Sequence, residues 1–198
     1  MNQQPRPSAA GPRRLTPPLT GPWAEGLVAG QEVLITGPLI AARDQAHKRL
    51  VELAAQGAPW PFEPQGQIVY YVGPTPAPPG RLIGSAGPTT SGRMDELTEP
   101  LLRLGVKALL GKGRRSAAVK AALVRHGAVY LAAVGGAGAF YGALVKGVET
   151  LAWPELGPEA LLRLEVEDFP ATVVNDLAGA DFYELGPAAC REAWKTPM

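Results

Sequence analysis

Apolar positions along the chain recur with two alternating periods, and that alternation sets out the elements. "GQEVLITGPLI" (Gly30–Ile40) is a β-rich apolar run broken by Gly37-Pro38, which predicts a strand ending in a turn. In "RDQAHKRLVELAAQG", Ala46, Leu50, Val51, Leu53 and Ala54 fall on one helical face, with Asp44 in the first turn and Gly57 at the stop. Gln67–Val72 reads as a buried strand, and a helix is expected around Met94–Leu104, with Pro100 restarting or kinking it. Next come a strand at Val106–Leu110, a glycine-rich turn, and a helix from Ser116 to His126 closed by Gly127. The scheme repeats with a strand at Ala128–Val134, glycines and another helix. "VETLAWPELG" holds a short strand, and "PATVVND" with "LAGADFYEL" predicts a closing strand pair around a glycine turn. No internal repeat is visible, and strands alternating with helices predict an α/β domain.

Between these elements, residues 73–93 carry neither period, and a loop of that length inside a compact domain is commonly functional. It ends in "GPTTSGRMD" (Gly87–Asp95), which packs three hydroxyls, a glycine, an arginine and an acid into one short run. Thr89, Thr90 and Ser91 would serve as an N-cap for the following helix, but a cap uses one hydroxyl and leaves the others and Arg93 without a task.

The composition narrows the function classes. With 19 basic and 18 acidic residues and a net charge of +1, bulk charge gives no reason to expect nucleic acid or lipid as a partner. Apolar residues at 46% and charged residues at 19% suit a folded core rather than a disordered chain. A single cysteine, Cys190, leaves no intramolecular disulfide and no zinc or iron–sulfur site built from several thiolates. No apolar run approaches the roughly 18 residues that cross a bilayer. The start of the chain, "MNQQPRPSAAGPRR", lacks the apolar stretch of a signal peptide. Residues 1–14 are therefore expected to form a mobile tail ahead of a single domain spanning 15–198, in a cytoplasmic protein.

Candidate chemistry concentrates on turns and helix starts. Arg43 stands at a predicted helix N-terminus, where free N–H groups and a guanidinium suit a carboxylate; from position alone, a surface arginine paired with Asp44 or an acid elsewhere is the simpler reading. Lys112, in "GKGRRS", sits in a glycine turn after a buried strand, either as a ligand-facing ammonium or as a solvated turn lysine, and the loop lacks Walker A spacing. Arg114 and Arg115 read as surface charges. "GGAGAFYG" imitates a dinucleotide fingerprint, but Tyr141 stands where the third glycine belongs, and close helix–strand packing explains the glycines too. His47 and His126 lie far apart, without acid or cysteine partners at ligand spacing, and suit core or capping roles. Ser85 and Ser91 have no G-x-S-x-G context. Arg43, Arg93 and Lys112 together with the hydroxyls are what a small dianionic substrate requires.

Five separated motifs, "ITGPLIAARDQAHKRL", "YYVGPTPAPPGRLIGSAGPTTSGRMD", "LLGKG", "VGGAGAF" and "DFPATVVND", together resemble the β subunit, or C-terminal domain, of iron–sulfur-dependent class I fumarate hydratases and L-tartrate dehydratases, in order from about Leu15 to Leu185. The resemblance implies a swivelling β/β/α domain that closes over an α subunit holding a [4Fe–4S] cluster through three cysteines. This chain, with one cysteine, then corresponds to the cluster-free half of an α2β2 assembly acting on a C4 dicarboxylate, fumarate or tartrate. Carried over by motif, the substrate-binding cations fall on Arg43, Arg93 and Lys112, and the proton-transferring hydroxyl on Thr89. Gly138 departs from the family's commoner "VGGAAA", and "NDLAGADFYE" lacks the asparagine of its usual "D-x-x-G-N-D/S-L-Y". Two rival readings are a module that senses a dicarboxylate without catalysis and a nucleotide-dependent enzyme using "GGAGAFYG".

Overall fold

The computed structural model describes residues 11–195. Its strands are β1 (Arg13–Leu15), β2 (Glu32–Ala41), β3 (Ile68–Tyr70), β4 (Ala108–Gly111), β5 (Val129–Ala132), β6 (Val145–Ala152) and β7 (Leu161–Asn175). Its helices are α1 (Asp44–Ala55), α2 (Asp95–Arg103), α3 (Ala117–His126), α4 (Gly138–Ala143) and α5 (Phe182–Lys195). The sheet order is β1-β2-β3-β4-β5-β7-β6, and β2 also pairs with β7, so the strands from β2 through β7 close on themselves. β2, β3, β4 and β5 run parallel, and β7 seals the barrel antiparallel to both β2 and β5. The length of β7 allows this: Leu162–Thr172 lies along β2, and Thr172–Asn175 reaches β5. This mixed α/β architecture with a closed sheet is the swivelling β/β/α arrangement.

Strand alternation divides the apolar side chains into two cores. Ile35, Leu39, Tyr70, Leu110, Leu131, Phe169 and Val173 fill the barrel. Their neighbours Ile40, Val69, Leu109, Tyr130 and Val174 point outward, onto Leu50 of α1, Leu101 and Leu102 of α2, and Val119 and Leu123 of α3. Between the pairs Ile35↔Phe169 and Gly37↔Val166, β2 advances two residues while β7 advances three. The extra residue is a β-bulge, with Asp168 at φ +50°, and it switches which positions of β7 face inward.

Several expectations are corrected. The Gly37-Pro38 step does not end β2. Pro38 falls between the stretch paired with β1 and the stretch paired with β3, where β2 has no neighbour on that side, and Gly37 takes φ +122° there. "LAGADFYEL" is not a strand: the chain makes a single antiparallel bridge, Asn175↔Asp181, and turns into α5 at Phe182. The first half of β7, Leu161–Phe169, was not anticipated, although "LRLEVEDF" alternates with strand period. Strand β1 falls partly inside the stretch expected as tail, because Arg13–Leu15 pairs with Val33–Ile35; residues 1–10 of that tail lie outside the described residues. Among the described residues, no helix is long and apolar enough to cross a membrane.

Candidate active site

The carboxyl ends of the parallel strands open on one side of the barrel, the place where α/β sheets gather ligand-binding groups. Arg43 follows β2, Thr89–Arg93 closes the long segment after β3, Lys112 follows β4, and Gly135 follows β5. All four residues expected to serve a substrate are thus on this edge.

Arg43 and Arg93, fifty positions apart in the chain, meet at one atom. The Arg43 Nε lies 3.3 Å and the Arg93 Nη2 2.8 Å from Oδ2 of Asp44. Burial works against ionisation of Asp44, but its own backbone N–H and the two guanidiniums outweigh it and hold the carboxyl below its usual range. Arg43 also reaches Glu159 Oε1 at 3.2 Å, and the other oxygen of Glu159 accepts the Gln45 N–H at 2.9 Å. The α1 N-terminus, expected to offer N–H groups to a ligand, is therefore capped by Glu159, a residue no sequence signal connects to it. Gly73 lets Arg43 lie flat against the loop, since a Cβ there would come within 2.7 Å of Arg43 Cδ and 2.8 Å of Nη1. Arg93 remains half exposed.

Thr89 and Lys112 are joined through backbone. The Lys112 N–H donates to the Thr89 carbonyl at 3.2 Å, the Ser91 N–H donates to the Lys112 carbonyl at 2.9 Å, and Thr90 and Lys112 form a parallel bridge. The Thr89 N–H in turn donates to the Tyr71 carbonyl at 2.8 Å. Among the described residues Lys112 has no ion-pair partner. Its side chain runs beside Gly135, where a Cβ would stand 3.3 Å from Lys112 Cδ.

The hydroxyls divide their tasks. Neither Thr90 ahead of the 3₁₀ turn Ser91–Met94 nor Met94 ahead of α2 supplies a side-chain cap. Ser91 is buried, 2.9 Å from the Tyr130 hydroxyl. Tyr130 gives its one proton to the Gly113 carbonyl at 2.9 Å, so Ser91 is the donor to Tyr130. Gly111 admits this contact: a Cβ there would lie 2.0 Å from Ser91 Oγ.

Arg115, expected on the surface, is buried beneath the site. Its Nε lies 2.7 Å from Asp95 Oδ1, its Nη2 donates to Thr98 Oγ1 at 2.7 Å and its Nη1 to the Tyr71 hydroxyl at 3.4 Å. The guanidinium also stacks over the rings of Tyr71 and Tyr130, at 5.3 and 5.1 Å. Removing one partner of a buried ion pair costs about 3–5 kcal/mol. The one available signal was its place directly before Ser116, the N-cap that accepts from the Val119 N–H.

His47 takes the core role. It is fully buried, with Nδ1 3.1 Å from the Arg43 carbonyl and its ring edge-on to Tyr71 at 5.1 Å. Burial, with the Arg115 charge adding to it, pushes its pKa down to about 4. His126 ends α3, 3.7 Å from Glu99, and Gly127 follows in the left-handed region. Gly138 and Gly142 of "GGAGAFYG" serve close packing, whereas Gly136 faces open space at φ +86°. A Cβ at Gly138 would meet Ser85 Oγ at 2.1 Å, and one at Gly142 would meet the Gly84 carbonyl at 2.3 Å. Among the described residues, no group of three or more His, Cys, Asp or Glu side chains is arranged to hold a metal, and Cys190 is exposed on α5. One cysteine in the whole chain, with no such group among the described residues, does not fit an iron–sulfur cluster held by several thiolates.

Residues 22–186 match the family model described as "Fumarase C-terminus". The chain is 43% identical over 156 residues to fumarate hydratase 2 of Leishmania major, covering 78% of this chain and 28% of that protein. It is 42% identical over 152 residues to the anaerobic class I fumarate hydratase of Escherichia coli K12, covering 76% and 28%. A putative L(+)-tartrate dehydratase subunit beta of Methanocaldococcus jannaschii is 35% identical over 172 residues, covering 84% of this chain and 88% of that subunit. The chain therefore spans little more than a quarter of the fumarate hydratases it matches and most of the tartrate dehydratase subunit. On these matches and this architecture, the chain belongs to the fumarase C-terminal domain family of class I fumarate hydratases and L-tartrate dehydratase β subunits.

Proposed function

We propose that this chain is the β subunit of a two-subunit hydro-lyase that reversibly adds and removes water on a C4 dicarboxylate, fumarate and malate rather than tartrate. Arg43, Arg93 and Lys112 bind the carboxylates, and the Thr89 hydroxyl transfers the proton. A [4Fe–4S] cluster is held by the α subunit of an α2β2 assembly. The observation that carries this reading is the meeting of Arg43 and Arg93 at Asp44 Oδ2, on the edge that also bears Thr89 and Lys112, which has no ion-pair partner among the described residues. Guanidiniums already gathered around one carboxylate are arranged to receive another, by charge-assisted hydrogen bonds. Thr89 is held by backbone hydrogen bonds through both its N–H and its carbonyl, which set the direction of its Cα–Cβ bond relative to these cations. A hydroxyl is a weak base, and the positive charge of Arg93, four residues on, favours its deprotonated form. Higher identity to the two fumarate hydratases than to the tartrate subunit supports fumarate. The near full-length match to a separate beta subunit supports a divided enzyme.

The test is to purify the tagged chain from its own cells without oxygen, weigh the complex by native mass spectrometry and assay iron. The expected result is a larger stoichiometric partner, about four irons per pair, and malate formed from fumarate. A lone, iron-free chain that binds dicarboxylates tightly overturns the hydro-lyase reading in favour of a sensing module.

A further inference from the structure

Asp95 closes the "GPTTSGRMD" run, two residues after Arg93, and each of its oxygens reaches across to the segment that follows Lys112. Oδ1 is 2.7 Å from Arg115 Nε, and Oδ2 accepts the Ser116 N–H at 2.7 Å. Its two Nη nitrogens donate to Thr98 of α2 and to the Tyr71 hydroxyl. Tyr71 is the residue whose carbonyl holds the Thr89 N–H. Tyr71 and the two segments that carry Thr89, Arg93 and Lys112 thus converge on one buried cation, its side chain being 0% exposed.

We infer that Arg115 is a positioning residue: its lock on Asp95, Thr98 and Tyr71 sets the spacing between Arg93 and Lys112 and so the span of dicarboxylate the site accepts. The inference rests on the proposed reading of Arg93 and Lys112 as carboxylate-binding cations. The planar fork is required. A lysine at 115 keeps the charge but supplies one compact donor group, which does not reproduce the separate Nε and Nη contacts. The same two segments are also joined by the neutral link from Ser91 to Tyr130 to Gly113 and by the backbone bonds between Thr89, Ser91 and Lys112. Without the Arg115 lock, the turns remain joined at Thr89–Ser91, while Arg93, beyond those bonds, loses the side-chain brace that Asp95 provides.

The test is a double-mutant cycle in the assembled enzyme, with kcat/KM measured on fumarate or L-tartrate, whichever the wild-type complex turns over, at a temperature where melting curves show every variant folded. Arg115→Lys is expected to lower kcat/KM about tenfold in the wild-type background, mainly by raising KM, and less than twofold when Arg93 is already Ala. A purely structural Arg115 would cost the same factor in both backgrounds, and additive losses overturn the inference, as does a wild-type KM in Arg115→Lys. If Arg115→Lys does not fold, Asp95→Asn takes its place in the same cycle, with the same two outcomes. Should Arg93→Ala alone leave kcat/KM unchanged, the substrate role of Arg93 falls and this inference with it. Additivity on top of a damaging Arg93→Ala overturns the positioning role alone.

Discussion

The guanidiniums of Arg43 and Arg93 share one carboxylate oxygen, Asp44 Oδ2, at 3.3 and 2.8 Å. Asp44 holds together two cations that would otherwise repel, and it lies on the first turn of α1, so its position is set by the helix rather than by the loop. On the proposed function, a dicarboxylate entering the site would compete with Asp44 for these donors. In the assembled enzyme, Arg93→Ala is expected to raise KM and lower kcat, each by about tenfold, because one charge-assisted contact is lost both in binding and in the transition state. Unchanged steady-state kinetics would remove Arg93 from the site.

Glu159 gives the second expectation. It pairs with Arg43 and caps α1 through the Gln45 N–H. Glu159→Gln keeps an oxygen for that N–H but removes the charge competing for Arg43. Dicarboxylate affinity, read by titration calorimetry with succinate, should rise several-fold while the melting temperature changes little. Weaker binding would mean that Glu159 orients Arg43 rather than competing for it.

How far these features were legible follows from what each depends on. Arg43, Thr89, Arg93 and Lys112 stand in motifs with local signals, a helix start or a glycine turn, and the structure brings them to one edge because each follows a strand of the same parallel set. Asp44 was visible as a first-turn acid, but its contact with Arg93 depends on α1 lying beside the 3₁₀ turn, which no local pattern encodes. Arg115 was misread because "GKGRR" looks like a solvated turn, and its burial arises only when α2 and α3 pack over Tyr71 and Tyr130. The long strand β7 was half missed because its Leu-Arg-Leu-Glu-Val alternation is charged on one face. That charged face is tolerated because Glu165 and Glu167 are exposed there.

His47 yields a pH dependence. Its pKa falls from 6.5 in the unfolded chain to about 4 in the fold. Between these values the unfolded state binds a proton that the folded state does not, so stability rises with pH across this window and is lost as pH falls through it. Above pH 6.5 both forms are neutral and His47 adds no further slope. Between pH 7 and pH 5 this one group should cost about 2 kcal/mol of unfolding free energy. Urea denaturation at the two pH values checks it: His47→Gln should remove most of that difference. Asp44 acts in a separate window, because its lowered pKa makes stability fall only as pH drops below the ordinary aspartate range near 3.8.

Gly111 offers a packing test independent of any substrate. It ends β4 immediately before Lys112, and a methyl group there would stand 2.0 Å from Ser91 Oγ and 3.0 Å from Tyr71 Cδ2. Neither neighbour can retreat freely. Ser91 is held to Tyr130, and Tyr71 is wedged between His47 and the Arg115 guanidinium. Gly111→Ala should therefore destabilise the fold by about 1–3 kcal/mol, the usual range for overpacking a filled core. Adding Ser91→Ala removes the closer obstruction, at the expense of the hydrogen bond to Tyr130, so the double variant should be more stable than the sum of the two single losses. Strictly additive losses in chemical denaturation would show that the steric conflict lies with Tyr71 and that the Ser91 hydroxyl moves aside without penalty.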